Sequence, residues 1–304
     1  MPDPYDGIYA NKIEVYGCDG SYWYISGPDI PQEAGVTLSP SLTGAIDAPV
    51  RTLWLPGAFG EESQGMRWKR RDVVFTVQTF AQDPETWMTV DSEWRAAFDY
   101  VKETTIVYTT SAGTRWIKVR LLEEPKSYEG DTDKGKSPFL VCDSAIVMTV
   151  ASELPFYLGE TEVYEWELGA GTSADFAIAI SNDGDVPVFP RWTLTAPGIW
   201  TLPDFSWGSE EYSRALQDAG RTVELPGLLL NEGVVVDADP RRQTILAANM
   251  SPVQSRWKGQ DLLYPIAAGA RGSVPVSVRN ATDGAALRLE IPKWYTRPWS
   301  RPLP

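Results

Sequence analysis

Gly130, Gly135, Lys136 and Ser137 stand at the spacing G-x-x-x-x-G-K-S, with which backbone amides and a lysine cradle nucleotide phosphates at a helix N-terminus. The neighbouring residues oppose that chemistry. Pro138 follows at once, Phe139-Leu140-Val141-Cys142 reads as a strand, and Asp131 and Asp133 would repel the phosphates they surround. A polar hairpin loop is the expectation. Gly169, Gly171 and Ala174 match the dinucleotide pattern G-x-G-x-x-A, which needs a helix to follow. Here Phe176, Ile178 and Ile180 alternate with period two and stop at the turn signal Asn182-Asp183-Gly184, so a strand is expected instead. Asp131 and Asp133 do not open a calcium loop either, because Lys136 and Cys142 hold the places of its glycine and its bidentate acid.

Histidine is absent. That removes Ser-His-Asp and Cys-His catalysis, histidine-ligated metals and the histidine pH switch. Two cysteines, Cys18 and Cys142, make neither a structural zinc site nor a disulfide framework; they read as buried thiols, with a single disulfide as the alternative. Carboxylate pairs suited to glycoside hydrolysis are numerous among 41 acids, but their separation is set in three dimensions and no motif singles one out. No catalytic residue, cofactor or metal is expected.

The formal charge of −14 disfavours wrapping of nucleic acid and binding to anionic membranes. Residues 137–190 carry nine acids and no base. They read as a solvated strand and connector, or as a negative surface along which DNA slides without sticking. The one dense basic cluster is Arg67-Trp68-Lys69-Arg70-Arg71, either a solvated loop before a strand or a contact with the acidic surface of an adjacent subunit. Of the 13 tryptophans, Trp23, Trp116, Trp166 and Trp192 lie in strand-like runs and read as packing, whereas Trp54, Trp68, Trp294 and Trp299 sit in loops or arms. Trp and Arg are enriched at interfaces, so the candidate interface residues are Trp54, Arg67, Trp68, Arg70, Arg71, Trp294, Arg297 and Trp299.

Short alternating segments must position these residues. Strands are expected over 22–25, 73–80, 104–110, 115–122, 145–150, 176–180, 186–195, 234–237, 243–247 and 287–291. Helices are expected over 91–102, capped by Asp91 and packed through Trp94, Ala97, Phe98 and Val101, and over 212–219, stopped by Gly220. Strands in this number with few helices predict sandwiches or barrels, with a domain boundary near 153–159. No apolar run reaches the roughly 18 residues of a membrane helix, and residues 1–6 lack the features of a signal peptide. Lys293, Arg297 and Arg301, together with Pro298, Pro302 and Pro304, predict an extended basic arm over 293–304 that docks on the first domain, its own or a neighbour's.

The ordered set of features resembles a known family. The set comprises the strand at Arg71 to Phe80, the amphipathic helix, and the run Thr110-Ser-Ala-Gly113-Thr-Arg115-Trp116. It continues with Leu154-Pro155-Phe156-Tyr157-Leu158-Gly159, Asn182-Asp183-Gly184 before Val186-Pro187, Asp237-Ala-Asp239-Pro240-Arg241-Arg242, and Tyr295-Thr-Arg297-Pro298-Trp299. Together these are similar to the distal tail proteins, a class of minor tail proteins, of long non-contractile-tailed phages, particularly those of actinobacteria. The resemblance implies a mostly β chain: a belt-type domain with one helix over 1–155 and a galectin-like antiparallel β-sandwich over 156–292. It implies no catalytic residues and a structural role at the virion tail tip, after assembly in the host cytoplasm. The belt would form a homo-oligomeric ring, a hexamer, joining the tail tube protein to hub and receptor-binding proteins while DNA passes without specific binding. The segment 200–220 has no counterpart in the family. The alternatives are a carbohydrate-binding sandwich module and, behind it, a glycoside hydrolase.

Overall fold

Period-two alternation governs most of this chain, and the computed structural model, which describes residues 11–28, 30–127 and 137–299, is mostly β. Residues 130–136 of the phosphate-loop pattern, with Asp131 and Asp133, lie outside the described residues, as do residues 1–6 and the end of the arm over 300–304. The chain divides into two compact units, one holding the residues up to Gly159 and again from Tyr295, the other Glu160–Trp294.

The first unit contains β1 (Lys12–Tyr16), β2 (Tyr22–Ser26), β3 (Gly35–Thr43), β4 (Val50–Gly57), β5 (Gly60–Trp68), β6 (Arg71–Phe80) and α1 (Pro84–Ala96). It continues through β7 (Thr104–Thr110), β8 (Gly113–Leu121), β9 (Lys126–Ser127), α2 (Pro138–Val141), β10 (Asp143–Ser152) and the start of β11 (Tyr157–Glu167). β2, β1, β7 and β8 pair in that order; β10 then meets β8 at Val150 opposite Leu121, and β6 and β3 follow β10. β6 shows why: Val73, Phe75, Val77 and Thr79 are buried against Ile146, Met148 and the rest of one apolar core, while the intervening residues are exposed or half-buried.

The helix expected over 91–102 starts earlier. Asp83 is its cap, accepting from the backbone N–H of Glu85 at 3.0 Å and of Thr86 at 2.9 Å, and Pro84 occupies the first turn, where a missing N–H costs nothing. Asp91 instead lies mid-helix, paired with Arg95 at 2.7 Å. Trp87 and Trp94, seven residues apart, bury the inner face. The helix stops at Ala96 because the Asp99 carboxylate captures the N–H groups of Val101 and Lys102, so Val101 is exposed rather than packed. Residues 139–142, expected as a strand, form the single helical turn α2, with Cys142 in the left-handed region donating its N–H to Pro138 O at 2.7 Å. Both cysteines are free; Cys142 is buried but Cys18 only half-buried.

The second unit adds β12 (Ala174–Ser181), β13 (Arg191–Leu194), β14 (Ile199–Pro203), β15 (Thr222–Glu224), β16 (Val234–Asp237), β17 (Ile245–Ala247), β18 (Arg271–Arg279) and β19 (Ala286–Tyr295). One antiparallel sheet runs β17-β16-β13-β19-β11 and the other β12-β18-β14-β15, with Trp192, Leu194, Trp200, Leu202 and Val276 in the core they share. This is a β-sandwich. Gly171, at φ +130°, leads into β12, so the glycine-rich pattern at Gly169 precedes a strand and not a helix. Asn182 makes its turn through its side chain, accepting from Gly184 N–H and donating to Val186 O, Ile266 O and Ala267 O. Asp239-Pro240 turns as the pair predicts, with Arg242 N–H reaching Asp239 O at 2.9 Å. No helix forms over 212–219. The Ser206 hydroxyl takes the Ala215 carbonyl and Tyr264 holds Asp218 at 2.6 Å, which leaves consecutive turns. No helix among the described residues is long and apolar enough to cross a membrane.

The cap assignment is testable. Asp83→Ala should lower the urea midpoint of the first unit about twice as far as Asp91→Ala or more, read by tryptophan fluorescence, because a cap outweighs an i,i+4 ion pair. Hydrogen bonds from Thr86 and Glu85 hold the Asp83 carboxyl below its ordinary value of 3.8. The cap's contribution is therefore full above that value and is lost as pH falls through the lowered folded value.

Candidate assembly interface

β4 and β5 pair only with each other, joined by a two-residue turn at Ala58-Phe59 and closed by Gly57 opposite Gly60. All nine residues of β5 are exposed, on both faces. A bulge interrupts the pairing between Thr52 and Trp54, where Gly65 takes φ +92°, a conformation that favours glycine. Cross-strand partners share a face. One face carries Val50 opposite Trp68, Thr52 opposite Met66, and Trp54 opposite Ser63; the other carries Arg51 opposite Arg67 and Leu55 opposite Glu62. The first face is apolar and exposed: Trp54 is 53% and Met66 52% accessible, and Phe59 at the tip is wholly so. An isolated two-stranded hairpin is marginal in water, and a contiguous apolar patch of this kind marks a surface that another protein covers.

The root of the hairpin is built quite differently. Arg71, which opens β6, has no accessible surface. Its guanidinium donates to Pro155 O at 2.8 Å, Gly44 O at 3.0 Å, Ala45 O at 2.8 Å, Asp47 O at 3.2 Å and Thr296 O at 2.7 Å, and lies 4.9 Å from the centre of the Tyr157 ring. Burial lowers the affinity of Arg71 for its proton and raises that of the Tyr157 phenol, whose hydroxyl donates to Ala45 O at 2.7 Å. Arginine stays charged through such a shift. Beside it the Arg115 guanidinium stacks on Tyr295 at 3.5 Å and donates to Arg297 O at 2.9 Å, while Arg297 reaches Asp47 at 2.5 Å. The segment Tyr295–Trp299 is thereby tied into the first unit.

These placements sort the eight residues singled out above. Trp54 and Trp68 lie on the apolar face of the hairpin, with Trp68 also edge-on to Phe156 at 5.0 Å, and Arg67 lies on the charged face. Arg70 is exposed and pairs with Asp72 at 2.9 Å. Arg71 is the correction: its charge is wholly spent on backbone carbonyls inside its own unit, so it presents nothing to a neighbour. Trp294 is half-buried on the core of the second unit, with the Arg241 guanidinium 5.7 Å from its ring centre. Its backbone carbonyl lies 2.5 Å from where a Cβ on residue 184 would stand, which is why glycine is needed there. Arg297 and Trp299 are exposed. The first three residues of the arm continue β19, and residues 296–299 follow as bends. Sequence reading missed β4 and β5, and with them Arg51, Met66 and Phe59. The available signal was Gly57-Ala-Phe-Gly60, a two-residue loop between segments of hairpin length.

No family model matches the chain. It is 26% identical to the minor tail protein Gp27 of Mycobacterium phage L5 over 95% of its length and 97% of the relative's, and 25% identical to Gp27 of Mycobacterium phage D29 over the same shares. Among solved structures it is similar to the Dit (gp 19.1) protein of phage SPP1, described as a paradigm of the hub adsorption apparatus of phages infecting Gram-positive bacteria. The TM-score is 0.54 at 10% identity, covering 86% of this chain and 99% of that one. A chain of the phage p2 baseplate in its activated conformation with strontium gives a TM-score of 0.52 at 9% identity, covering 93% and 98%.

Removing residues 295–304 should destabilise the first unit. It deletes the acceptors of two charge-assisted hydrogen bonds, from Arg71 and Arg115, at a cost of about 3 kcal/mol. Arg297→Ala, which breaks only an exposed ion pair, should cost less than about 1 kcal/mol. Thermal unfolding of the two variants, followed by fluorescence, measures the difference.

Proposed function

We propose that this chain, a phage tail-tip structural protein related along its length to the minor tail proteins of mycobacteriophages, is the distal tail protein of its virion. In this reading copies of the first unit close into a six-fold ring beneath the tail tube, and the ring carries the hub and receptor-binding proteins. The observation that carries the proposal is the β4–β5 hairpin, whose apolar residues Trp54, Met66 and Phe59 are exposed. A tube adaptor needs an interface that differs on its two sides and whose rotation closes, and a projecting hairpin supplies one side of such a contact. The net charge of −14 suits a channel through which DNA passes without being held, since each phosphate contact by Lys or Arg adds retention. The sandwich unit, in this reading, sits outside the ring.

Nothing in this proposal calls for catalysis. For the carbohydrate-binding alternative, Trp192 and Trp200 offer no surface, being buried in the sandwich core, while Trp166 is half-buried and stacks on Phe176 at 3.9 Å.

Two measurements test the proposal. A reconstruction of the assembled tail tip should show this chain as a closed ring with six-fold symmetry; an arrangement without rotational symmetry overturns it. In the isolated protein, the double substitution Trp54→Glu, Met66→Glu should leave stability within about 0.5 kcal/mol, because both sites are exposed. The same protein should enter tails at least tenfold less efficiently than the wild type.

A further inference from the structure

In the second unit, β12 is an edge strand. It pairs with β18 in unbroken register, from Ala174 opposite Val278 to Ser181 opposite Arg271, and with no other strand among the described residues. Alternate residues of an antiparallel strand aim their N–H and C=O groups away from the partner, so the outer side of β12 is a row of backbone donors and acceptors. Proteins blunt such edges with proline, lysine, a bulge or brevity. Elsewhere in this chain those devices are in place. β15 and β17 have three residues each, β3 loses its pairing with β6 around Pro40, β4 and β5 carry a bulge, and β11 carries four glutamates. Ala174-Asp-Phe-Ala-Ile-Ala-Ile-Ser181 has no proline, lysine or bulge, and Asp175 is its one charge.

Phe176, Ile178 and Ile180 pack on the sandwich core, while Asp175, Ala177 and Ala179 are exposed and too small to keep another strand away. The two ends of β12 differ in charge. β11 follows β12 across the sandwich, with Trp166 stacked on Phe176 and Glu162 accepting from the Ser181 hydroxyl at 3.1 Å. Glu167 therefore lies at the Ala174 end, and so does Asp283, which accepts from Gly171 N–H at 2.9 Å. Glu167, Asp175 and Asp283 are exposed and have no ion-pair partner among the described residues. At the Ser181 end the acids are already matched: Lys293 lies 3.3 Å from both Glu162 and Asp183, and Arg271 lies 3.1 Å from Asp183.

We propose that β12 receives an added strand from a different protein of the tail: an extended segment that pairs along Ala174 to Ser181 and carries lysine or arginine where it passes Glu167, Asp175 and Asp283. Backbone pairing supplies the affinity, and the one acidic end sets the register. A second copy of this chain fits less well. Antiparallel self-pairing about Ile178 would set Asp175 opposite Ser181, beside an Arg271 that Asp183 already holds. Parallel self-pairing in register would set Asp175 against Asp175, and like charges directly opposite repel. Nucleic acid is repelled by the same acids. The inference concerns the sandwich alone and stands whether or not the first unit forms a ring.

Photo-crosslinking and amide hydrogen exchange in purified tails test this. Ser273 stands opposite Ala179 on the exposed side of β18, so a benzophenone amino acid there leaves the edge free. On irradiation it should link to one segment of another tail protein, with lysine or arginine flanking the linked residue, identified by mass spectrometry. The amides of β12 that face away from β18 should exchange about tenfold or more slowly in tails than in the isolated full-length protein. Asp175→Lys should weaken retention of that partner about tenfold, whereas Asp175→Glu should preserve it. The double substitution Ala177→Lys, Ala179→Lys should melt like the wild type and lose the partner. A link to another copy of this chain or to DNA would overturn the proposal, as would outward β12 amides that exchange equally fast in tails. So would lysine variants that melt normally and keep the partner. A six-fold ring with β12 uncovered would leave the ring reading intact, and a tip without rotational symmetry that still gives the crosslink would overturn the ring reading alone.

Discussion

A buried arginine organises the first unit. The Arg71 guanidinium is removed from water and has no carboxylate within its hydrogen-bond shell; carbonyls from the 44–47 segment, Pro155 and Thr296 solvate it instead. An arginine presents its donors in a rigid planar fork, so satisfying it fixes where each of those backbone segments lies. Leaving any donor unmet in so dry a place would cost the desolvation of a charge. The segment before β4 and the residue that follows β5 and Arg70 meet at this one side chain. Both roots of the hairpin are therefore clamped, and the hairpin projects from a rigid base although neither of its strands touches a third.

That contrast between root and projection shows how the chain divides its labour. In the central strands β6 and β10 alternation is strict and one face is buried. β4 and β5 bury neither face: Trp68 at their root meets Phe156, but Trp54, Met66 and Phe59 further out stay exposed. A protein that acts alone would be expected to blunt such a surface, since unpaired edges and exposed apolar strips invite association. A protein whose working state is an assembly keeps them. The second unit is self-sufficient by comparison: its tryptophans fill the sandwich core, and its buried acids are answered locally, Asp204 by Arg221 and two backbone N–H groups, Asp239 by Arg241.

Errors in reading the sequence share one cause. Asp91 has the residue type and the spacing of a helix cap, but Asp83 has Pro84 after it and is the residue whose carboxylate reaches two free amides. Tyr212, Ala215, Leu216 and Ala219 have helical spacing, yet the Ser206 hydroxyl, nine residues earlier in the same connection, takes the carbonyl that a helix would need. Phe139 to Cys142 is rich in strand formers and nonetheless closes a helical turn beginning at Pro138. In each case a short-range preference worth a few tenths of a kcal/mol yields to one hydrogen bond worth about 1 kcal/mol.

What the sequence determined by itself is what depends on periodicity and composition. The mostly β class, the strands at Val73, Thr104, Val234 and Leu287, the turn at Asp239-Pro240 and the dismissal of the glycine-rich pattern at Gly169 all follow from local alternation and turn chemistry, which act between residues close in the chain. Tertiary structure alone decided the role of each arginine. Arg67, Arg70 and Arg71 are indistinguishable as a basic run, yet one lies on an exposed face opposite another arginine, one is neutralised by a neighbour two residues on, and one is sealed inside. The difference comes from partners up to 225 residues away, brought together by folding, and no pattern within the run encodes them.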